Sequence, residues 1–106
     1  MFARIVRMKL KSADSSEFSR VLENDVLPVL RKQQGFRDEI TFVSSDGKEA
    51  VGISLWDEKQ HADAYTREGY AQVTRLVNKV VDGTPQVQTY EVANSTFHHI
   101  SARAAA

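Results

Sequence analysis

Three histidines, fourteen acidic residues and no cysteine make up the obvious acid-base and ligand inventory of this chain. His61 suits proton transfer if it faces a pocket, because an imidazole titrates near neutrality, and Asp57, four residues earlier, is placed to orient it. No second acid-base partner is spaced around it, so a helix cap and a surface imidazole are the simpler account of the pair. His98 and His99 are adjacent, and on a strand their side chains diverge to opposite faces, which rules out a compact metal pair. No metal site is expected. The lack of cysteine removes disulfides, thiolate metal sites and cysteine nucleophiles together.

Trp56, Tyr65 and Tyr70 have the types and spacing to line an apolar cavity with a hydrogen-bonding rim, as a flat ligand requires. The same spacing serves a packed core, where each buried tyrosine hydroxyl still needs a partner. Arg4 and Arg7 are more unusual, since they fall in an apolar strand pattern and a strand rarely buries charge unpaired. Asp38, Glu39 or Glu91 on neighbouring strands can neutralise either one, and a structural ion pair is the simpler role. An anionic ligand is the sharper alternative. No glycine-rich phosphate loop, nucleophile elbow, catalytic carboxylate pair or basic-aromatic pattern is present, which leaves hydrolase, nucleotide-binding and RNA-binding functions without support.

Fourteen basic residues balance the fourteen acidic ones, so no overall field gathers nucleic acid or an anionic membrane surface. Arg4 and Arg7 interrupt the amino-terminal run that a secretion signal needs, and no stretch approaches membrane-spanning length. The expectation is a cytoplasmic protein without nucleic-acid or membrane partners.

The elements that must carry these residues follow from periodicity. Phe2 to Leu10 alternates with period two and reads as a strand. The run from Ser12 to Glu17 supplies cap residues and a first-turn acid, and Phe18, Val21, Leu22, Val26, Val29 and Leu30 recur at helical spacing. Pro28 predicts a kink or break in that helix, and Gly35 its end. Phe36 to Ser44 and Glu49 to Trp56 are joined through Asp46-Gly47 and read as an antiparallel hairpin. Asp57 is expected to cap a second helix, with Gln60 completing a capping box, and Gly69 to divide it. The cluster Asp82-Gly83-Thr84-Pro85 reads as the turn that stops this helix, and Val87 to Phe97 as the last strand.

The order βαββαβ gives an α+β fold of ferredoxin-like type, a four-stranded antiparallel sheet with helices on one face. One domain over residues 1–97 and a tail over 98–106 are expected. The strands are apolar on both faces: Phe2, Val6, Met8 and Leu10 share one face of the first, Ala3 and Ile5 the other. Helices cover one face, so a homodimer packed sheet against sheet is expected.

The segment from Ile53 to Tyr70, an aromatic-ended strand leading into a helix with a second aromatic, resembles the strand-to-helix passage of the antibiotic-biosynthesis-monooxygenase group. Gly35-Phe36 resembles that group's exit from the first helix, and Pro85 leading into Val87 to Val92 is similar to its closing strand. The resemblance implies a dimeric α/β barrel, a central first strand and a pocket between sheet and helices. With the first strand central, Arg4 and Arg7 lie on opposite faces, and the spacing match makes Arg7 the one that lines the pocket. Haem-degrading members of the group carry asparagine, tryptophan and histidine at places held here by Arg7, Tyr65 and Arg75, and arginine cannot ligate iron, so haem degradation is disfavoured. The expected function is a small-molecule monooxygenase-like enzyme without a tightly bound cofactor, taking an aromatic or quinone-like compound between Arg7, Trp56, Tyr65 and Tyr70. The alternative is a non-catalytic ligand-binding or stress-related homodimer.

Overall fold

The structure is a computed structural model that describes residues 1–11 and 15–100. The first part of the expected helix cap, Ser12 to Asp14, and the end of the tail, 101–106, lie outside the described residues.

β1 (Phe2–Leu10) lies inside the sheet, flanked by β3 (Glu49–Trp56) and β4 (Val81–Glu91), with β2 (Phe36–Val43) beyond β3. Every pairing is antiparallel. The register sorts side chains by parity: Phe2, Arg4, Val6 and Met8 stand in rows with Trp56, Ser54, Gly52 and Ala50, and Ala3, Ile5 and Arg7 stand with Leu55, Ile53 and Val51. The first set faces the helices. The βαββαβ order and the ferredoxin-like α+β fold are as expected.

The first helical stretch has three parts, α1 (Ser15–Val21), a π-helical turn Leu22–Val26, and α2 (Leu27–Arg31). Pro28 is the physical cause. It has no N–H for the carbonyl of Asn24, so the chain widens just before it: the Leu27 N–H donates to Leu22, and Pro28 enters in the first turn of α2, where a missing donor costs least. Phe18, Val21, Val26 and Leu30 stay buried on the sheet side despite the irregular turn. Burying each such side chain stabilises the fold by about 1.5–3 kcal/mol.

Gly35 ends this stretch at φ +80, and its carbonyl accepts the Asp57 N–H at 2.8 Å. The hairpin turns at Gly47, φ 72, where Asp46 accepts hydrogen bonds from the Lys48 N–H at 3.0 Å and the Ser44 hydroxyl at 2.7 Å. α3 (Lys59–Glu68) and α4 (Tyr70–Val77) are divided at Gly69, as expected.

Two boundaries differ from expectation. The residue that caps α3 is Glu58, extended and without a side-chain cap bond, so the Asp57–Gln60 capping box does not form. The Asp57 carboxylate is taken by the Arg37 guanidinium instead. β4 begins at Val81 rather than Val87 and ends at Glu91 rather than Phe97. The turn-like cluster is absorbed in a bulge opposite Met8, with Gly83 at φ +72 and Pro85 on an edge strand that needs no donor there. His98 and His99 therefore lie beyond the last strand, and His98 Nε2 stands 2.5 Å from Asp38 Oδ2 on β2.

Candidate functional site

Between the sheet and the helices lies a cavity of about 70 Å3, or about 570 Å3 with its open mouth included. Its floor comes from the helix-facing rows, Arg4, Val6 and Met8 on β1, Gly52 and Ser54 on β3, and Glu39 and Thr41 on β2. Its roof is Phe18, Leu22, Val26 and Leu30 from the first helical stretch and Tyr65, Tyr70, Val73 and Val77 from α3 and α4. The lining is mostly apolar, so its few polar groups stand out.

Arg4 is the most unusual of them. It is 2% exposed, its guanidinium carbon lies 4.9 Å from the Tyr65 ring centroid and 4.4 Å from that of Tyr70, and its Nε is buried without a hydrogen-bond partner. Burial lowers the Arg4 pKa from its usual value, against the favourable pull of Tyr65 and Tyr70 and a hydrogen bond with Tyr70. An arginine keeps its proton even so, which leaves a fixed positive charge in an apolar space. Burial pushes the Tyr65 hydroxyl up to about 12 and raises that of Tyr70, while Arg4 pulls both down. Both tyrosines are therefore neutral donors at physiological pH.

Four aromatic rings are held behind that charge. Phe36 meets Trp56 edge-on at 5.6 Å, Trp56 stacks on Tyr65 at 5.0 Å and 24°, and Tyr65 meets Tyr70 edge-on at 6.0 Å. Trp56 has no exposed surface, and its indole N–H donates to Ser54 Oγ at 2.9 Å. Gly69 makes the stack possible: a Cβ there would stand 2.9 Å from Tyr65 Cδ1 and 3.2 Å from Gln33 Oε1.

The second polar group is Glu39, half-buried at the opposite side of the floor. Burial raises its carboxyl above the usual range, against a hydrogen bond donated by the Thr41 hydroxyl.

Among the expected site residues, Tyr65 and Tyr70 line the cavity. Trp56 does not; it stands behind Tyr65 as its packing support. Arg7 does not either, which corrects the expectation drawn from spacing. Arg7 shares the parity of Ala3 and Ile5, is exposed, and borders a separate polar hollow with Lys9, Glu49 and Asp82. An ion pair for Arg4 also fails to appear: among the described residues no carboxylate pairs with it, Asp38 is engaged by His98, and Glu39 by Thr41. His61 is half-buried against the Gly35 backbone, outside the cavity, with Nδ1 lacking a partner. Arg75 is exposed. No group of three or more histidine, cysteine, aspartate or glutamate side chains able to hold a metal ion occurs among the described residues. No helix among them is long and apolar enough to cross a membrane.

The period-two pattern carried the signal for Arg4, since it places Arg4 with Phe2, Val6 and Met8. Gly52, Ser54 and Thr41 carried no comparable signal, because their role depends on which strands become neighbours.

No family model matches the chain, and no curated protein matches its sequence. Solved structures do match. A monooxygenase from the gene ActVA-Orf6 of Streptomyces coelicolor, in complex with nanaomycin D, superposes with a TM-score of 0.75 at 16% identity, over 89% of this chain and 88% of its own. SnoaB, a cofactor-independent oxygenase from Streptomyces nogalater, gives 0.71 at 14% identity, over 90% and 95%. A Nitrosomonas europaea protein assigned to antibiotic biosynthesis monooxygenases gives 0.70 at 16% identity, over 89% and 100%. The chain has the fold of the antibiotic-biosynthesis-monooxygenase domain proteins.

Proposed function

We propose that the protein is a monooxygenase-like enzyme that takes a small aromatic or quinone-like compound into the cavity under Tyr65 and Tyr70, without a tightly bound cofactor. One observation carries this reading: Arg4 is a buried cation with no carboxylate partner among the described residues, aimed into an apolar cavity beside two tyrosines. A buried cation in that setting is stabilised by an electron-rich ring and an anionic oxygen. Several structural neighbours are oxygenases, one of them cofactor-independent.

Such chemistry asks the protein to stabilise a substrate anion that reacts with dioxygen. In the overall change a phenol and dioxygen give a quinone and water. One oxygen atom replaces a ring hydrogen, and the other leaves with that hydrogen and the hydroxyl proton. Arg4 is placed to hold the anion, Tyr65 and Tyr70 to donate to its oxygens, and the apolar roof to exclude water. Oxygen uptake with a panel of hydroxylated aromatics tests this: turnover that falls in Tyr65→Phe supports it, and no uptake by the purified protein with any member overturns it.

The site is proposed to work in a homodimer. Ile40, Phe42 and Tyr90 stand on the sheet face away from the helices and are 47%, 52% and 51% exposed, a two-sided apolar sheet that a second copy would cover. Sedimentation as a monomer at micromolar concentration would refute this part. Binding without turnover is the second reading, favoured by the fully buried Trp56 under Tyr65, which gives the aromatic stack the character of core.

A further inference from the structure

We infer that Glu39 takes the proton from a hydroxyl on the bound ring, so that the cavity selects phenols and hydroxyquinones whose negative charge is drawn toward Arg4. This rests on the small-molecule reading of the cavity given above and specifies its ligand.

Arg4, Ser54 and Glu39 form one lateral row across β1, β3 and β2, all facing the cavity. Two strand spacings, about 10 Å of backbone separation, therefore lie between the cation and the carboxyl group. The pair does not close into an ion pair: Arg4 turns up to Tyr65 and Tyr70, and Glu39 takes the Thr41 hydroxyl on Oε1. The floor beside Glu39 is open in the adjacent row, Val6, Gly52 and Thr41, because position 52 is glycine. A Cβ there would stand 3.7 Å from Thr41 Oγ1, 3.8 Å from Met8 Cε and 4.0 Å from Glu39 Oε1, so a side chain at 52 fits sterically but would occupy the space beside the carboxyl group.

A ring lying between these ends meets a proton acceptor on one edge and a cation on the other. When the hydroxyl gives its proton to Glu39, the O–H electron pair stays on the ring and spreads to the oxygen or electron-poor carbon at the opposite edge, where Arg4 stabilises it. Glu39 then donates a hydrogen bond back. The other titratable groups facing this space are Arg4 from β1, Tyr65 from α3 and Tyr70 from α4. Burial raises both tyrosines and Glu39, which makes Glu39 the stronger base than an exposed carboxylate would be. The enclosed part, about 70 Å3, is smaller than the about 150 Å3 of an engineered cavity that takes benzene, so a bound ring lies partly in the open mouth.

4-Nitrophenol is a suitable probe, since its phenolate is coloured and its charge spreads to the nitro oxygens. At a pH where the free probe is protonated, the wild-type protein should turn it into the coloured form without releasing a proton, as read by absorbance and by calorimetry in buffers of different ionisation heat. Glu39→Gln should either leave the bound probe colourless or release about one proton per probe bound. Thermal unfolding checks that this isosteric variant folds, and Glu39→Asp, which keeps the acid, should restore the wild-type proton count in part. A coloured bound probe in Glu39→Gln with the same proton count as wild type would overturn the role of Glu39 while leaving the cavity reading intact. Failure of wild type to bind the probe, or equal binding in Gly52→Val, would overturn the cavity reading and this inference with it.

Discussion

The guanidinium of Arg4 stands 4.4 Å from the ring centroid of Tyr70, and no carboxylate among the described residues shares it. Replacing Arg4 by methionine removes the charge at similar volume. The lost cation–π contacts, about 1–2 kcal/mol, oppose the relieved desolvation cost, so unfolding free energy in urea should change by no more than about 2 kcal/mol. Binding of a phenolate should weaken by about ten- to a hundred-fold, the worth of a charge-assisted hydrogen bond. Collapse of stability with binding retained would show Arg4 to be structural.

Gly69→Ala sets unfolded-state entropy against packing. At the junction of α3 and α4 the backbone, φ -116, accepts alanine, which gains about 0.4–1 kcal/mol by restricting the unfolded chain, but its Cβ would stand 2.9 Å from Tyr65 Cδ1, on a ring already stacked on Trp56. The ring cannot retreat into a residue with no exposed surface, so a net loss of about 1–2 kcal/mol is expected in urea unfolding.

Gly35→Ala should cost more. The backbone at φ +80 penalises any side chain by about 1–2 kcal/mol, and the new Cβ would overlap the His61 ring. A loss of at least about 3 kcal/mol is expected. Adding His61→Ala should return the steric part and leave the backbone part, a non-additivity that a double-mutant cycle in urea measures directly.

The raised carboxyl of Glu39 makes a signed statement about pH. A group whose folded pKa lies above its unfolded value adds stability that is complete below the unfolded pKa and lost as pH rises through the folded one. Glu39→Gln should therefore gain melting temperature relative to wild type as pH rises from the ordinary carboxyl range toward neutrality. A difference that is flat across this range would show that Glu39 is not desolvated.

Most of the architecture followed from periodicity, because β1, the hairpin and the divided second helix each bury one regular face. What misled was local chemistry overridden by neighbours. Asp82 to Pro85 reads as a turn in isolation, yet β1 needs a strand partner there, and an edge position tolerates both the proline and the bulge. Asp57 reads as a helix cap, yet Arg37 across the hairpin holds its carboxylate. Another group's spacing points to Arg7 at the pocket, against an alternation that places Arg4 with Phe2, Val6 and Met8. A one-residue choice on a strand selects the opposite face. The site's floor, Glu39 beside Gly52 and Ser54 beside Arg4, exists only once β2, β3 and β1 are side by side, and nothing local in the sequence announces that row.

The most direct measurement is a crystal structure of the protein soaked with 4-nitrophenol. The ring should lie between sheet and helices, with one edge against Glu39 and the other within hydrogen-bonding reach of Arg4 and Tyr70. A probe found instead in the polar hollow beside Arg7 and Lys9, or a cavity left empty at saturating probe, would refute the assignment of the site.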